Sequence, residues 1–180
     1  MSRLFLALPL PWEIKQTIFE TVEQIKNQMS HSRVGWVRSE QYHITIHFLG
    51  DVDEGIEDRL IFELRKGNYP KPFQLTLGEV GAFPDKKHPQ TIFVKTNIHL
   101  FAIELYKKLG GVLANLGFEL DRRPWMPHIT VGRVKVQSEV LKPELILVPE
   151  QTFCVESFIL MASTLSAEGS FYDIVEEINL

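Results

Sequence analysis

Apolar positions along this chain follow two rhythms, one of period two and one near 3.6, and their alternation predicts the order of elements. The opening run "RLFLAL" reads as a buried strand, and the prolines at 9 and 11 then open a helix. Ile14, Ile18, Val22, Ile25 and Met29 follow at spacings of 4, 4, 3 and 4, the stripe of an amphipathic helix. "VGWVR" (34–38) and "YHITIHFLG" (42–50) are rich in β-branched and aromatic residues and predict two strands, the second ended by Gly50-Asp51. Ile56, Leu60, Ile61 and Leu64 mark a second helix closing near Gly67. "FQLTLGEVGAF" (73–83) and "TIFVKT" (91–96) predict a strand pair flanking the polar loop "PDKKHPQ". Leu100, Ile103, Leu109, Val112, Leu113 and Leu116 mark a third helix, capped by Asn97 and stopped at Gly117. A loop containing "DRRPWMP" leads to a strand from His128, and the tail supplies "TFCVESFILMAST" and "FYDIVEEI", joined by the turn-like "LSAEGS".

The resulting order, β-α-β-β-α-β-β-α-β-β-β, mixes strands and helices and predicts an α+β fold with helices covering one side of antiparallel sheets. No Pro/Gly/Ser-rich linker divides the chain, so residues 1–180 are expected to form a single domain. The opening "MSRLFLALPLPW" imitates a leader peptide, but its apolar run is short, prolines interrupt it and no small-residue cleavage pattern follows. No stretch of eighteen apolar residues predicts a membrane span, and a cytoplasmic location is expected. A net charge of −4 argues against a long groove for duplex nucleic acid while leaving room for a local anion site. The single cysteine, Cys154, excludes an internal disulfide framework and is expected to be a small buried hydrophobe.

One feature stands outside this pattern. "HIT" occurs at 43–45 and again at 128–130, 85 positions apart (128 − 43), each time at a predicted strand start. Alternation places His43 and Thr45 on one face with Ile44 and Ile46 on the other, and likewise His128 and Thr130 against Ile129 and Val131. Side by side, such strands bring two imidazoles and two hydroxyls to one cleft. One imidazole can take a proton from a nucleophile while the other protonates a leaving oxygen, since histidine titrates near neutrality. The hydroxyls can donate to an anion held between them. A metal-free in-line displacement at a phosphodiester matches that equipment. A single H-x-T carries almost no information; two in the same context favour function. His43 and His47 lie about 13 Å apart along a strand, too far to share a zinc. Neither a metal nor a nucleotide cofactor is expected, because no Walker loop, dinucleotide fingerprint or nucleophile elbow occurs.

The paired H-x-T-x motifs resemble those of the two-histidine (2H) phosphoesterase superfamily, in particular its RNA 2′,3′-cyclic phosphodiesterase branch, related to 2′-5′ RNA ligases. The likeness extends over "RLFLALPLP", "WVRSEQYHITIHFLG", "PWMPHITVGR" and "ILMASTLSAEGSFYDIVEEI". It implies a bilobal fold, with two mainly antiparallel sheets, helices on their outer faces and a central cleft to which each lobe contributes one motif. It also implies hydrolysis of RNA 2′,3′-cyclic phosphate ends, or of small cyclic nucleotides, to 2′-phosphates by a monomeric enzyme, with ligation as the reverse reaction. His43 would be the proton donor, His128 the proton acceptor, and Thr45 and Thr130 would hold non-bridging oxygens.

Arg133 matches the H-x-T-x-x-R extension and would add a bidentate phosphate contact, provided the strand bulges near Gly132 to bring it onto the His128 face. His47 is expected on the His43 face as a partly exposed strand residue. Among aromatic residues, Tyr42 and Phe48 share parity with the buried isoleucines and are expected in the core, whereas Trp125, beside Arg122 and Arg123, is the expected substrate-rim residue. Two alternatives stay open: a module that grips a nucleotide phosphate without turning it over, and a phosphodiesterase for another cyclic-phosphate or 2′-5′ linked substrate.

Overall fold

The computed structural model describes residues 2–166 and 169–180, and within them the chain forms three α-helices and nine strands. They follow as β1 (Ser2–Pro9), α1 (Trp12–Gln28), β2 (Arg33–Trp36), β3 (His43–Val52), α2 (Glu54–Lys66), β4 (Phe73–Phe83), β5 (Thr91–Thr96), α3 (Leu100–Asn115), β6 (His128–Val136), β7 (Thr152–Val155), β8 (Ser157–Ser166) and β9 (Gly169–Asn179). The tip of the predicted "LSAEGS" turn, residues 167–168, lies outside the described residues.

All strand pairings are antiparallel, and the strands run in the order β7-β4-β5-β6-β3-β1-β8-β9, with β2 paired to β6. This order is two sets of four that mirror one another about the β6–β3 boundary. At that boundary the ladder contains one pair, Ile44 opposite Ile129. The two lobes of the α+β fold thus meet where the two H-I-T strands touch.

Period-two alternation decides what each face covers. Leu4, Leu6 and Leu8 of β1 join Ile14, Ile18, Val22 and Ile25 of α1, Leu60 and Leu64 of α2, and Leu105, Leu109 and Leu113 of α3 in one core. Each such side chain contributes about 1.5–3 kcal/mol through burial. Phe5 and Ala7 point the other way and form a small separate cluster with Ile159 and Met161. The helices therefore cover one face, and the opposite face is left for the site.

Several expectations need correction. Ile56 and Leu100 begin their helical stripes in sequence but are exposed, because each lies in the first turn of its helix, before the helix meets the core. His99, not Asn97, caps α3: its Nδ1 accepts from the Phe101 N–H, while Asn97 Oδ1 accepts from the Thr76 N–H. The run "TFCVESFILMAST" is two strands, since β7 pairs with β4 in one lobe and β8 with β1 in the other. Cys154 is exposed, on the outward parity of the short strand β7.

Candidate active site

His43 opens β3 and His128 opens β6, each one residue before the isoleucine of the single shared ladder pair. Extending that antiparallel register by one residue sets His43 across from Thr130 and Thr45 across from His128. The two histidines are then diagonal neighbours, positions that in a regular sheet lie on the order of 7–8 Å apart with their Cβ atoms somewhat closer. Ile44 and Ile129 are fully buried on the helix side, which fixes which way their neighbours point.

The two half-sites share a second feature. Each imidazole Nδ1 is 2.7 Å from the carbonyl two residues upstream, His43 to Gln41 and His128 to Met126. A carbonyl only accepts, so Nδ1 carries the hydrogen in both, and Nε2 of the neutral ring keeps the lone pair that handles protons. Aromatic rings then brace each imidazole. Phe5 and Tyr172 lie 5.0 and 5.2 Å from the His43 ring, and Phe93 and Phe83 lie 5.0 and 5.2 Å from His128.

Burial among these rings pushes the pKa of His43 down to about 4, against the opposing pull of its bond to Gln41; Lys15, His128 and Arg133 depress it further. His128 is lowered by burial too, again opposed by its carbonyl bond and assisted by Arg133. Both rings are therefore neutral at pH 7 in the free protein. Lys15 reaches this side of the site from α1, with Nζ donating to the Glu40 carbonyl.

Arg133 reaches the site through a bulge. The β5–β6 register shifts between Phe93–Thr130 and Ile92–Gly132, so Val131 and Gly132 are both buried and Arg133 returns to the open face. β3 repeats the device: its register with β1 shifts between Ala7–Thr45 and Leu6–His47, burying Ile46 and His47 in succession and turning Phe48 outward. Hence H-I-T-I-H-F superposes in pattern on H-I-T-V-G-R, with Phe48 at the position of Arg133 and His47 at that of Gly132.

Two expectations are overturned by that bulge. His47 does not share the His43 face: it is buried, its Nε2 lies 2.9 Å from the Tyr106 carbonyl, and its ring stacks on Tyr106. Phe48 is not in the core: it is 72% exposed, and its ring lies 6.1 Å from Phe5, which itself touches His43. Tyr42 is buried as expected. At Gly132 the strand has no side chain because β2 crosses there; a Cβ would stand 2.9 Å from both Trp36 and Val34.

The expected rim residues have other partners. Trp125 packs against the main core, stacks on Tyr106 and donates from Nε1 to the Thr45 carbonyl at 2.9 Å. Arg123 is paired with Asp121 two residues earlier, Nε to Oδ1 at 3.0 Å, which removes much of its pull on an incoming anion. Among the described residues, no group of three or more His, Cys, Asp or Glu side chains is placed to hold a metal, and no helix is long and apolar enough to cross a membrane.

Comparison with known proteins shows the family and the fold. Residues 8–94, which carry the first motif, match the model of the LigT-like phosphoesterases. An RNA 2′,3′-cyclic phosphodiesterase of Methanocaldococcus jannaschii is 32% identical over 97% of this chain and 99% of its own length. The chain belongs to the LigT-like (2H) phosphoesterase family. A second relative, the RNA 2′,3′-cyclic phosphodiesterase of Thermotoga maritima, is 29% identical over 97% of this chain and 94% of its own. A Thermus thermophilus protein of known crystal structure has the same fold, with a TM-score of 0.81, 28% identity, and 99% and 97% of the two chains covered. Escherichia coli LigT, crystallised with 3′-AMP, shares the fold at a TM-score of 0.78 and 23% identity over 99% and 98% of the chains. The chain is thus a phosphoesterase of α+β, bilobal architecture. Phe48, exposed beside Phe5, is a residue that strand parity misplaces, and aligning the two motifs to their sixth positions is the signal that finds it.

Proposed function

We propose that this phosphoesterase hydrolyses RNA 2′,3′-cyclic phosphate ends to 2′-phosphates by two-histidine acid–base catalysis. The observation that carries the reading is the matched pair of imidazoles, each with Nδ1 tied to a carbonyl and each opening one strand of the β3–β6 boundary. His128 Nε2 takes a proton from water as its oxygen attacks phosphorus. His43 Nε2 gives a proton to the 3′ oxygen as the P–O3′ bond breaks, leaving phosphate on the 2′ oxygen. Thr45 and Thr130 hydroxyls and the Arg133 guanidinium hold the non-bridging oxygens.

His43 is neutral in the free site and must be charged to act as the acid. The substrate supplies the cause: its phosphate charge offsets Arg133 and lies beside the imidazole, which raises the affinity of His43 for a proton. The exposed Phe48, with Phe5 behind it, offers a face on which the terminal base stacks, so the phosphate leans towards Arg133 and the nucleoside towards β3. The reaction needs no metal or cofactor in this scheme. The chain acts as one bilobal, monomeric domain in the cytoplasm on RNA 3′ ends or small cyclic nucleotides. Ligation of 2′-5′ ends is the same chemistry reversed, with water at its ordinary concentration favouring hydrolysis.

The test is turnover of a short RNA ending in a 2′,3′-cyclic phosphate with chelator present, beside His43→Ala and His128→Ala. A 2′-phosphate product by phosphorus NMR, lost in both variants, is the expected result. Tight binding without turnover by the wild type would instead make the site a phosphate-gripping module.

A further inference from the structure

The geometry points to Trp125 as a positioning residue that sets the spacing of the two half-sites from behind the sheet. This inference rests on the two-histidine reading and goes beyond it, since Trp125 belongs to neither motif and packs on the helix side of the fold.

The need for such a device follows from the topology. Within each lobe a histidine strand is held by a long ladder, β3 along β1 and β6 along β5. Between the lobes, the β3–β6 ladder is the single pair Ile44–Ile129. One pair fixes a point of contact but leaves rotation and splay of the strands poorly determined, and proton transfer through a bound phosphate depends on both imidazoles being held to within a fraction of an ångström.

Trp125 spans this gap. Its indole Nε1 donates to the carbonyl of Thr45, in the first motif. Its backbone adjoins Met126, whose carbonyl fixes Nδ1 of His128 in the second. The same side chain thus touches one half-site directly and the other through the next residue of the chain. The indole is held in turn by a stack of rings: Trp125 on Tyr106 at 5.1 Å and 11° between planes, and Tyr106 on His47 at 4.3 Å and 23°. His47 belongs to β3 and is turned to this side by the bulge, where its Nε2 meets the Tyr106 carbonyl at 2.9 Å. The ring lies against α3 at Gly110, where a Cβ would be in ordinary contact with it, 3.4 Å from His47 Nε2. β3 and the segment leading into β6 are therefore both clamped to one tyrosine of α3. This explains why the two motifs differ at their fifth position. β3 carries a histidine that enters the clamp, whereas β6 carries Gly132, against which Trp36 of β2 lies.

The test compares Trp125→Phe, which keeps a ring against Tyr106 and removes the N–H, with the wild type on 2′,3′-cyclic AMP. Expected is a fall in kcat of about 10- to 100-fold with KM changed less than about 2-fold, because the phosphate and base contacts stay while their alignment loosens. A purely structural role would not move a second readout, the electrostatic link between the histidines. In an otherwise wild-type background, His128→Asn should raise the NMR titration midpoint of His43, because it removes a neighbouring charge that depresses it; in the Trp125→Phe background that shift should shrink by at least half. Wild-type kcat in Trp125→Phe, or an unaltered shift, overturns the inference. Should Trp125→Phe fail to fold, Tyr106→Leu against Tyr106→Phe asks the same question: loss of kcat in the first alone supports the clamp, and equal kcat in both refutes it. His43→Asn and His128→Asn run alongside, and activity in either would sink the two-histidine reading independently of Trp125.

Discussion

Acid should destabilise this protein through His43 in particular. The half-buried imidazole sits between Phe5 and Tyr172 and feels the charges of Lys15 and Arg133, and its pKa falls from 6.5 to about 4. In the unfolded chain the same ring takes a proton below about 6.5. Between pH 6.5 and 4 the unfolded state therefore binds the extra proton, and stability falls as pH falls, levelling off once the folded ring also protonates. The depression corresponds to about 3 kcal/mol at most, a large fraction of the 5–15 kcal/mol that holds a typical domain together. Urea unfolding of the wild type and His43→Asn at a series of pH values reads this directly. The wild type should lose about 3 kcal/mol more than the variant between pH 7 and 4. Equal pH slopes would refute the claim that His43 is held neutral by its surroundings. The reciprocal effect ties this to mechanism. If a bound phosphate charges His43, dimethyl phosphate, a diester that stays a monoanion throughout this range, must bind with proton uptake near pH 6, measurable by calorimetry in buffers of different ionisation heat, and its affinity must rise as pH falls from 7 towards 5. Absence of proton uptake would remove the proposed source of the acid.

Other outcomes follow from the same geometry. Gly132→Ala should cost about 1–3 kcal/mol by thermal or urea unfolding, because the added methyl meets Trp36 and Val34 at 2.9 Å in a packed crossing. Arg133→Lys should lower kcat/KM by about tenfold or more, since an ammonium cannot reproduce a bidentate grip; unchanged kinetics would take Arg133 out of the site. Phe48→Ala should weaken nucleotide binding by about 1–3 kcal/mol while leaving inorganic phosphate affinity unchanged, whereas equal losses for both ligands would exclude base stacking.

Most of the elements are legible in the chain because burial imposes its period on sequence locally. The stripe from Ile14 to Met29, along α1 and its C-cap, is buried throughout, and β4 and β5 span the predicted 73–83 and 91–96. The paired H-I-T segments and the identities of His43, Thr45, His128, Thr130 and Arg133 are likewise a matter of sequence alone, as is the family resemblance those motifs carry.

What the tertiary structure decided lies where a one-residue slip changes the answer. A bulge leaves composition and pattern almost unaltered yet reverses the face of every residue beyond it. It brings Arg133 to the open face, sends His47 into the core and turns Phe48 out of it. The break at Glu156 between β7 and β8 is similar: an apolar run is locally one strand, and only its two different pairing partners divide it. Trp125 shows the same limit for side chains, because an exposed-looking tryptophan between arginines and a motif gives no sign that its N–H will meet Thr45, 80 residues earlier. Periodicity reports what each residue needs of its own strand or helix; which partner meets that need is settled only when distant segments come together.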